Sequence, residues 1–573
     1  MKIYRLLFLT FLVVALAAQP AMAQQKKNSS EISRTSSSAK DSKSGKDSKS
    51  SKDSKSGKNS KSDDKKDDKK SKKKKNQETD TVVAPVPETS RLQCVSIDSM
   101  MNHIRELGSS RYSGRLAGTT DYSKACEYVA STLESYGFEP YLGEWYEHFA
   151  IECNIIENCK FNSYVEANGV RTPYVLGKDF VCAGMTGRGY ANAPVVFCGY
   201  GLDALAFNEY ANVDAQGKVV LVLDGVPDFL PKNIVEPYYS MRAKAAVAKK
   251  HGACALVVID LTKGCEHEVH GTVYSGGEPH MATFPIVVPH RTCASHFFDN
   301  ELMSLQQAID TIQSTRTPHS FHLRRNFEID VNANYHPKAG TANVTAFLRG
   351  SDDKMNGEIL VLGAHMDHVG LQGETCLFPG ADNTLTGVAA VLEAARLMAT
   401  NEDFKPKRSV LVVIFSGGES LCLGSRIFVS NANHKHFEAF LNPEALGSGD
   451  SLLVRGNAQF PLLYGVADSL DKLYTNVMVR GYKTYLRNDA APFAYIGIPS
   501  LNFYAYNGYK HNHVPSDILE NINRKTFERN ANLFFNVAYE LSQGDYQGRT
   551  KRSRQFRFDV QEKKPSKLPF LKH

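Results

Sequence analysis

Two stretches, Ile359–Gly363 and Ser409–Phe415, are apolar at nearly every position, and between them Gly387–Ala399 repeats its apolar residues at helical spacing. A strand that is apolar on both sides must be covered on both sides. Strand, helix and strand in that order build an α/β sheet with helices packed against it. In such sheets ligands gather outside the carboxyl ends of the strands. The residues that follow each apolar run therefore carry the functional argument.

Three features stand at such ends. The first run leads into Ala364-His365-Met366-Asp367-His368 and the second into Gly417-Gly418-Glu419. Pro499–Tyr504 precedes His511-Asn512-His513-Val514-Pro515-Ser516-Asp517, and Pro379-Gly380-Ala381-Asp382-Asn383 lies between the first two. Histidines and carboxylates on converging loops suit zinc, with Asp367 placed to orient His365. A lone histidine after a strand is an ordinary structural residue; the signal is the four segments together.

Upstream, Ser96–Gly108 and Thr120–Tyr136 show helical spacing, joined by the turn-rich link Gly114-Arg115-Leu116-Ala117-Gly118. From about 166 to 332 the texture changes. Short apolar runs at Pro194–Cys198, Val219–Leu223, Ala255–Ile259 and Phe284–Val288 alternate with turn residues around one helix, Ala243–Lys250. This reads as a separate β-rich module. Its His267, His270, His280 and His290 lack metal-site spacing and read as surface-loop residues. Of the 11 cysteines, Cys153 and Cys159 are the nearest plausible pair, and most others sit in apolar runs as small buried side chains.

The two ends of the chain differ from its middle. Residues 1–23 read as a secretory signal, with Lys2 and Arg5, the apolar run Leu6–Ala18, and a cleavage pattern at Ala21-Met22-Ala23. Residues 24–88 form a Lys/Ser-rich linker in which KDSKSG-like units recur. Such a composition cannot bury enough apolar surface to fold, so disorder is expected. It reads first as a solvated spacer, with electrostatic contact to an anionic cell surface as the alternative. Residues 26–76 hold 19 Lys and Arg against 8 Asp and Glu, so a chain of net charge +7 has an acidic body. That argues against nucleic acid as a partner. A basic tail is assigned to 547–573. The expected location is secreted, periplasmic or at the cell surface.

With these motifs the chain resembles the di-zinc exopeptidase family that includes bacterial leucyl aminopeptidase, aminopeptidase Y and glutamate carboxypeptidase. The likeness runs from about 95 to 545 and rests on Gly114–Gly118, Gly363–His368, Pro379–Asn383, Gly387-Val388-Ala389-Ala390, Lys407-Arg408-Ser409, Glu419 with Gly424-Ser425, and His513 leading into Pro515-Ser516-Asp517. The module resembles the protease-associated domain carried by some members. The resemblance implies an α/β, mixed-sheet zinc-exopeptidase sandwich with helices on both faces, built from 89–165 and 333–546. Into it the β-rich protease-associated-like segment 166–332 is inserted. It also implies two zinc ions and hydrolysis of N-terminal residues or small peptides.

Carried over by position, the family's metal ligands fall on His365, Asn383, Glu419, Glu444 and His513, with Asp367 supporting His365. The position that bridges two ions holds Asn383, and Asp382 is the candidate to replace it. The position of the general base holds Gly418, and Asn488-Asp489-Ala490-Ala491-Pro492-Phe493 lacks a family histidine. Two cations about 4 Å apart need an anionic bridge, which a neutral amide supplies poorly. A general base is worth about 10² to 10⁴ in rate, and glycine has no proton acceptor. The expectation is an exported aminopeptidase-like protein with hydrolysis impaired or lost. It would bind a peptide or protein ligand and hold one zinc through His365, Glu419 and His513. The alternative is a working peptidase with a rearranged or single-zinc site and Glu444 or His368 as base.

Overall fold

The computed structural model describes residues 91, 94–167, 169–261, 279–508, 513–544 and 546. The leader 1–23, the linker 24–88, the tail 547–573, and His267, His270, His511 and Asn512 lie outside the described residues.

In chain order the body opens with α1 (Ile97–Leu107), α2 (Thr120–Ser135) and the long strand β1 (Tyr146–Tyr164). Ser96 and Thr119 start the two helices, their hydroxyls accepting from the backbone N–H of Ser99 and Tyr122. The insert follows with β2 (Gly189–Phe197), β3 (Val219–Leu223), α3 (Met241–Lys250), β4 (Ala255–Ile259) and β5 (Ile286–Pro289). The body resumes with β6 (Phe321–Leu348), β7 (Ile359–His365), α4 (Thr386–Thr400), β8 (Ser409–Phe415), α5 (Leu423–Asn431), β9 (Phe437–Glu444), β10 (Ser451–Arg455), β11 (Ser500–Tyr506) and α6 (Arg524–Ser542).

The body's part of the sheet runs β10–β11–β9–β7–β8–β6, and β6 continues into β2–β3–β4–β5. Strands β7, β8, β9 and β11 are parallel to their neighbours, while β6 and β10 are antiparallel at the flanks, giving the mixed sheet expected. Every residue of β8 is buried, as its unbroken apolar run requires. Helix α4 is buried along most of its length and packs with α1 and α6, while α5 packs with a short helix at Ala490–Tyr495. Gly387 makes the approach of α4 to the sheet feasible, since a Cβ there would sit 2.4 Å from the Pro443 carbonyl oxygen. That approach sets the Asn383 turn beside the end of β9.

The insert is not joined by loose linkers. Strand β1 pairs with β6 from Tyr146↔Val344 to Tyr164↔Asn326, and the register shifts at Asn332/Ala333 and His336/Ala339. The textural boundary at 332/333 therefore falls inside a continuous strand. Buried Phe327, Ile329, Val331 and Ala333 keep their alternation straight across it. Within the insert, β3 and β4 are buried at every position, with both faces covered. One face packs on Phe161, Phe297 and Phe327, the other on Met241, Ala245 and Phe378. The module is thus layered with helices as well as rich in strands. All described cysteines, Cys153 and Cys159 included, carry free thiols. No described helix is long and apolar enough to cross a membrane.

Candidate functional site

Parallel pairing of β7 with β8 and β9 brings three carboxyl ends side by side: His365 at the end of β7, Phe415 at the end of β8, and Glu444 at the end of β9. The loop beyond β7 is held by Arg115. This residue is fully buried, at 0% exposure, with a left-handed φ of 53°. Its guanidinium donates to Met366 O at 2.9 Å, Leu107 O at 2.9 Å, Pro379 O at 2.8 Å and Thr384 Oγ1 at 3.1 Å. One side chain thus fixes α1, the end of β7 and the Asp382–Asn383 turn. The sequence marked this segment only as a link. An arginine set among small residues in a turn was the available signal.

His368, Glu419 and His513 place one ligand atom each within 4.8 Å of one another. Glu419 Oε1 lies 3.3 Å from His368 Nδ1, and its Oε2 lies 2.8 Å from His513 Nε2. Burial pushes the His368 imidazolium down to about 4, which keeps the ring in the neutral form that metal ligation needs. Burial works to raise the Glu419 carboxyl, but the two histidines outweigh it and hold it well below the usual range. Asp367 shapes the turn beneath, accepting from Gly418 N at 2.8 Å and Glu419 N at 3.2 Å.

Of the expected trio of His365, Glu419 and His513, the structure brings the last two together with His368, and His365 stands apart from them. Its Nδ1 is 3.5 Å from Asp367 Oδ1 and its Nε2 is 3.9 Å from Glu444 Oε1. Side chains alternate along extended chain, so residues 365 and 368 leave the end of β7 in different directions. The His365 ring also lies against Gly418. A Cβ built on Gly418 would come within 2.3 Å of His365 Cγ and 2.4 Å of its Nδ1.

Asp382 does not take the place of the bridging ligand. Its Oδ1 accepts from Gly447 N at 2.6 Å and from Thr386 Oγ1 at 3.3 Å, so it is committed to the turn after β9. The pair Asp382–Asn383 lies in a wide helical turn, Ala381–Leu385, rather than in extended chain. Asp517 pins that turn, accepting from Asp382 N at 2.7 Å and Asn383 N at 3.0 Å. Asn383 Nδ2 comes within 3.4 Å of His368 Nδ1, so an amide occupies the place of the bridging carboxylate. Glu444 accepts from Asn488 Nδ2 beside the buried Asp489, whose carboxyl burial raises to about 6. His280 stacks on Tyr335 and His290 caps a short helix, so neither adds to the site.

Two imidazoles and a carboxylate in such proximity fit a single zinc or another borderline divalent cation, with room left in its shell for a further ligand. His365 and Glu444 form a second pair, 3.9 Å apart.

Comparison with known proteins agrees with this architecture. Residues 343–538 match peptidase family M28, and residues 191–291 match the PA domain. The chain is 25% identical over 209 residues to a probable leucine aminopeptidase of Arthroderma otae, covering 35% of this chain and 57% of that protein. It is 24% identical over 381 residues to an aminopeptidase of Pseudomonas aeruginosa, covering 62% and 58%. It is 30% identical over 192 residues to transferrin receptor protein 1 of Gallus gallus, covering 29% and 23%. The chain thus spans less than two thirds of each of these relatives. Among solved structures, an aminopeptidase from Aneurinibacillus sp. strain AM-1 superposes with a TM-score of 0.54 at 19% identity, covering 80% of this chain and 97% of that one. A zinc aminopeptidase from Bacillus subtilis gives 0.55 at 16%, covering 79% and 97%. At these identities the likeness is one of fold. Residues 343–538 are accordingly similar to peptidase family M28, and the module ahead of them holds a segment similar to the PA domain.

Proposed function

We propose that this chain is an exported, aminopeptidase-like protein that binds a peptide or protein segment at a single-cation centre made by His368, Glu419 and His513, with the family's hydrolysis weakened or lost. One observation carries this reading: the His365 ring fills the space where a side chain at position 418 would begin. The cation, when bound, supplies a positive charge that polarises a carbonyl or a water. Asp367 orients the Glu419 turn, and Arg115 with Asp517 fixes the loops around it. Glycine at 418 leaves no carboxylate there to take the proton from water. Asn383 beside His368 is neutral and gives a second cation no shared anionic partner. The charged, apolar and Ala-Met-Ala pattern of residues 1–23 supports export, and the acidic body favours a peptide over nucleic acid.

The test pairs metal analysis of the purified chain with turnover of aminoacyl anilides. About one zinc per chain is expected. His368→Ala should weaken zinc binding by at least roughly tenfold, on the scale at which metal-site neighbours act. Zinc affinity untouched by His368→Ala, or anilide turnover at a rate ordinary for aminopeptidases, would overturn the reading. A working single-metal peptidase is the second reading, favoured by the half-buried Glu444 carboxylate 3.9 Å from His365 Nε2. Glu444→Gln abolishing a measurable turnover would select it.

A further inference from the structure

Three cysteines from separate strands gather around Gln372. Cys159 lies on β1, Cys182 ends the short strand Phe180–Cys182 that pairs with β5 at the edge of the insert, and Cys376 opens the strand Cys376–Leu377. The backbone of Gln372 stands in register with Ile156 of β1 on one side and with Cys376 on the other. Its side chain accepts from Cys182 N at Oε1 and donates to Cys182 O through Nε2, both at 2.9 Å.

Two of the thiols face each other. Along β1, Cys159 and Phe161 are buried while Asn158 and Lys160 are exposed, so the first two share one face. Phe180 and Cys182 are likewise two residues apart on their strand. The rings of Phe161 and Phe180 pack edge to face with centroids 5.4 Å apart. One step of two residues from that contact, back along β1 and forward along the short strand, leads to Cys159 and Cys182, whose thiols lie within reach of each other. Both belong to one apolar cluster, with Cys182 at 0% exposure and Cys159 at 6%. Cys376 packs in the other cluster, beside Gly177, where a Cβ would come within 2.8 Å of its Sγ.

We propose that Cys159 and Cys182 form an oxidation site, joined as a disulfide that staples β1 to the edge strand of the insert when a small-molecule or protein disulfide serves as oxidant. The thiolate of one cysteine attacks a sulfur of the oxidant and expels one thiol from it. The second cysteine then attacks the mixed disulfide and expels the other. The two cysteines give up two electrons and two protons, and the oxidant's disulfide becomes two thiols. Burial raises the Cys182 thiol well above its ordinary range, so the exchange belongs to folding, before Phe161 and Phe180 close over the pair. The staple braces the strand that carries Ile156, which lines a cleft together with His368 and Glu419.

The full chain refolded in a glutathione buffer rich in the oxidised form, with its remaining thiols blocked by iodoacetamide and its peptides mapped by mass spectrometry, tests this. The expected product is a Cys159–Cys182 cross-linked peptide with Cys376 alkylated. Its thermal midpoint should lie about 2–4 °C above that of the chain refolded with reduced glutathione, the scale of one disulfide in a chain of this size. Cys159→Ala and Cys182→Ala should each remove the cross-link and the shift, while Cys376→Ala keeps both. Alkylation of both Cys159 and Cys182 after oxidative refolding, or a link from either to another cysteine, would overturn the assignment. A cross-link that leaves the midpoint unmoved would overturn the stapling role. The mapping is made on the unaltered chain, so it decides the matter even where an alanine variant fails to fold, and it is independent of zinc and peptide binding.

Discussion

Arg115→Ala is expected to cost about 3–5 kcal/mol of stability, the range for breaking a buried charged network by removing one partner. The guanidinium serves three carbonyls and one hydroxyl, none of which water reaches in the folded chain. Its charge also sits between Asp367 and Asp517, the two acids that shape the site loops. Burial lowers its pKa to about 10, so it stays charged at neutral pH and its loss leaves those acids uncompensated. Arg115→Lys should recover only part of the loss, because a point charge cannot reach acceptors spread around a planar fork. Chemical denaturation measures both variants. A change below about 1 kcal/mol for Arg115→Ala, the worth of one ordinary hydrogen bond, would mean that the loops are held by something else. The same variant should lose zinc, since Pro379 and Met366 flank Asn383 and His368.

Gly418→Glu with Asn383→Asp restores the family's charges on paper, and it is expected to fail. A general base typically contributes about 10² to 10⁴ in rate, so a competent double variant would show an unmistakable gain on aminoacyl anilides. The Cβ of any residue at 418 meets the His365 ring at 2.3 Å, and Asp367 and Glu444 hold that ring from either side. The expected result is no gain in turnover and a loss of about 1–3 kcal/mol, as overpacking a filled site does. Gly418→Ala isolates the steric part and should carry most of the destabilisation. A hundredfold rise in anilide hydrolysis by the double variant would show that His365 yields readily, and that charge alone limits the wild type.

Much of the fold was legible because both-face burial writes itself into composition. Strands β3, β4 and β8 coincide with unbroken apolar runs, and α4 with its apolar spacing. The loops that carry the candidate site were legible from their place after such strands. Three things were not. The ribbon of β1 and β6 alternates quietly through a change of texture, so periodicity and composition gave conflicting boundaries. The exchange of His368 for His365 depends on side-chain direction just past a strand end, which residue spacing does not fix. The role of Arg115 is a long-range one, joining segments more than 250 residues apart; its turn of small residues marks the position but does not name the partners.

The two-stranded ribbon has a mechanical consequence. Because β1 and β6 pass unbroken from one module to the other, the insert cannot swing on a flexible tether. Any displacement of it must twist a hydrogen-bonded ladder, and the compliant points are the two bulges, beside Asn158–Ile156 and His336–Ala339. The first adjoins Asn154 and Ile156, which line a cleft together with His368 and Glu419. Movement of the insert is therefore a shear of the whole ribbon, concentrated where its ladder is already interrupted.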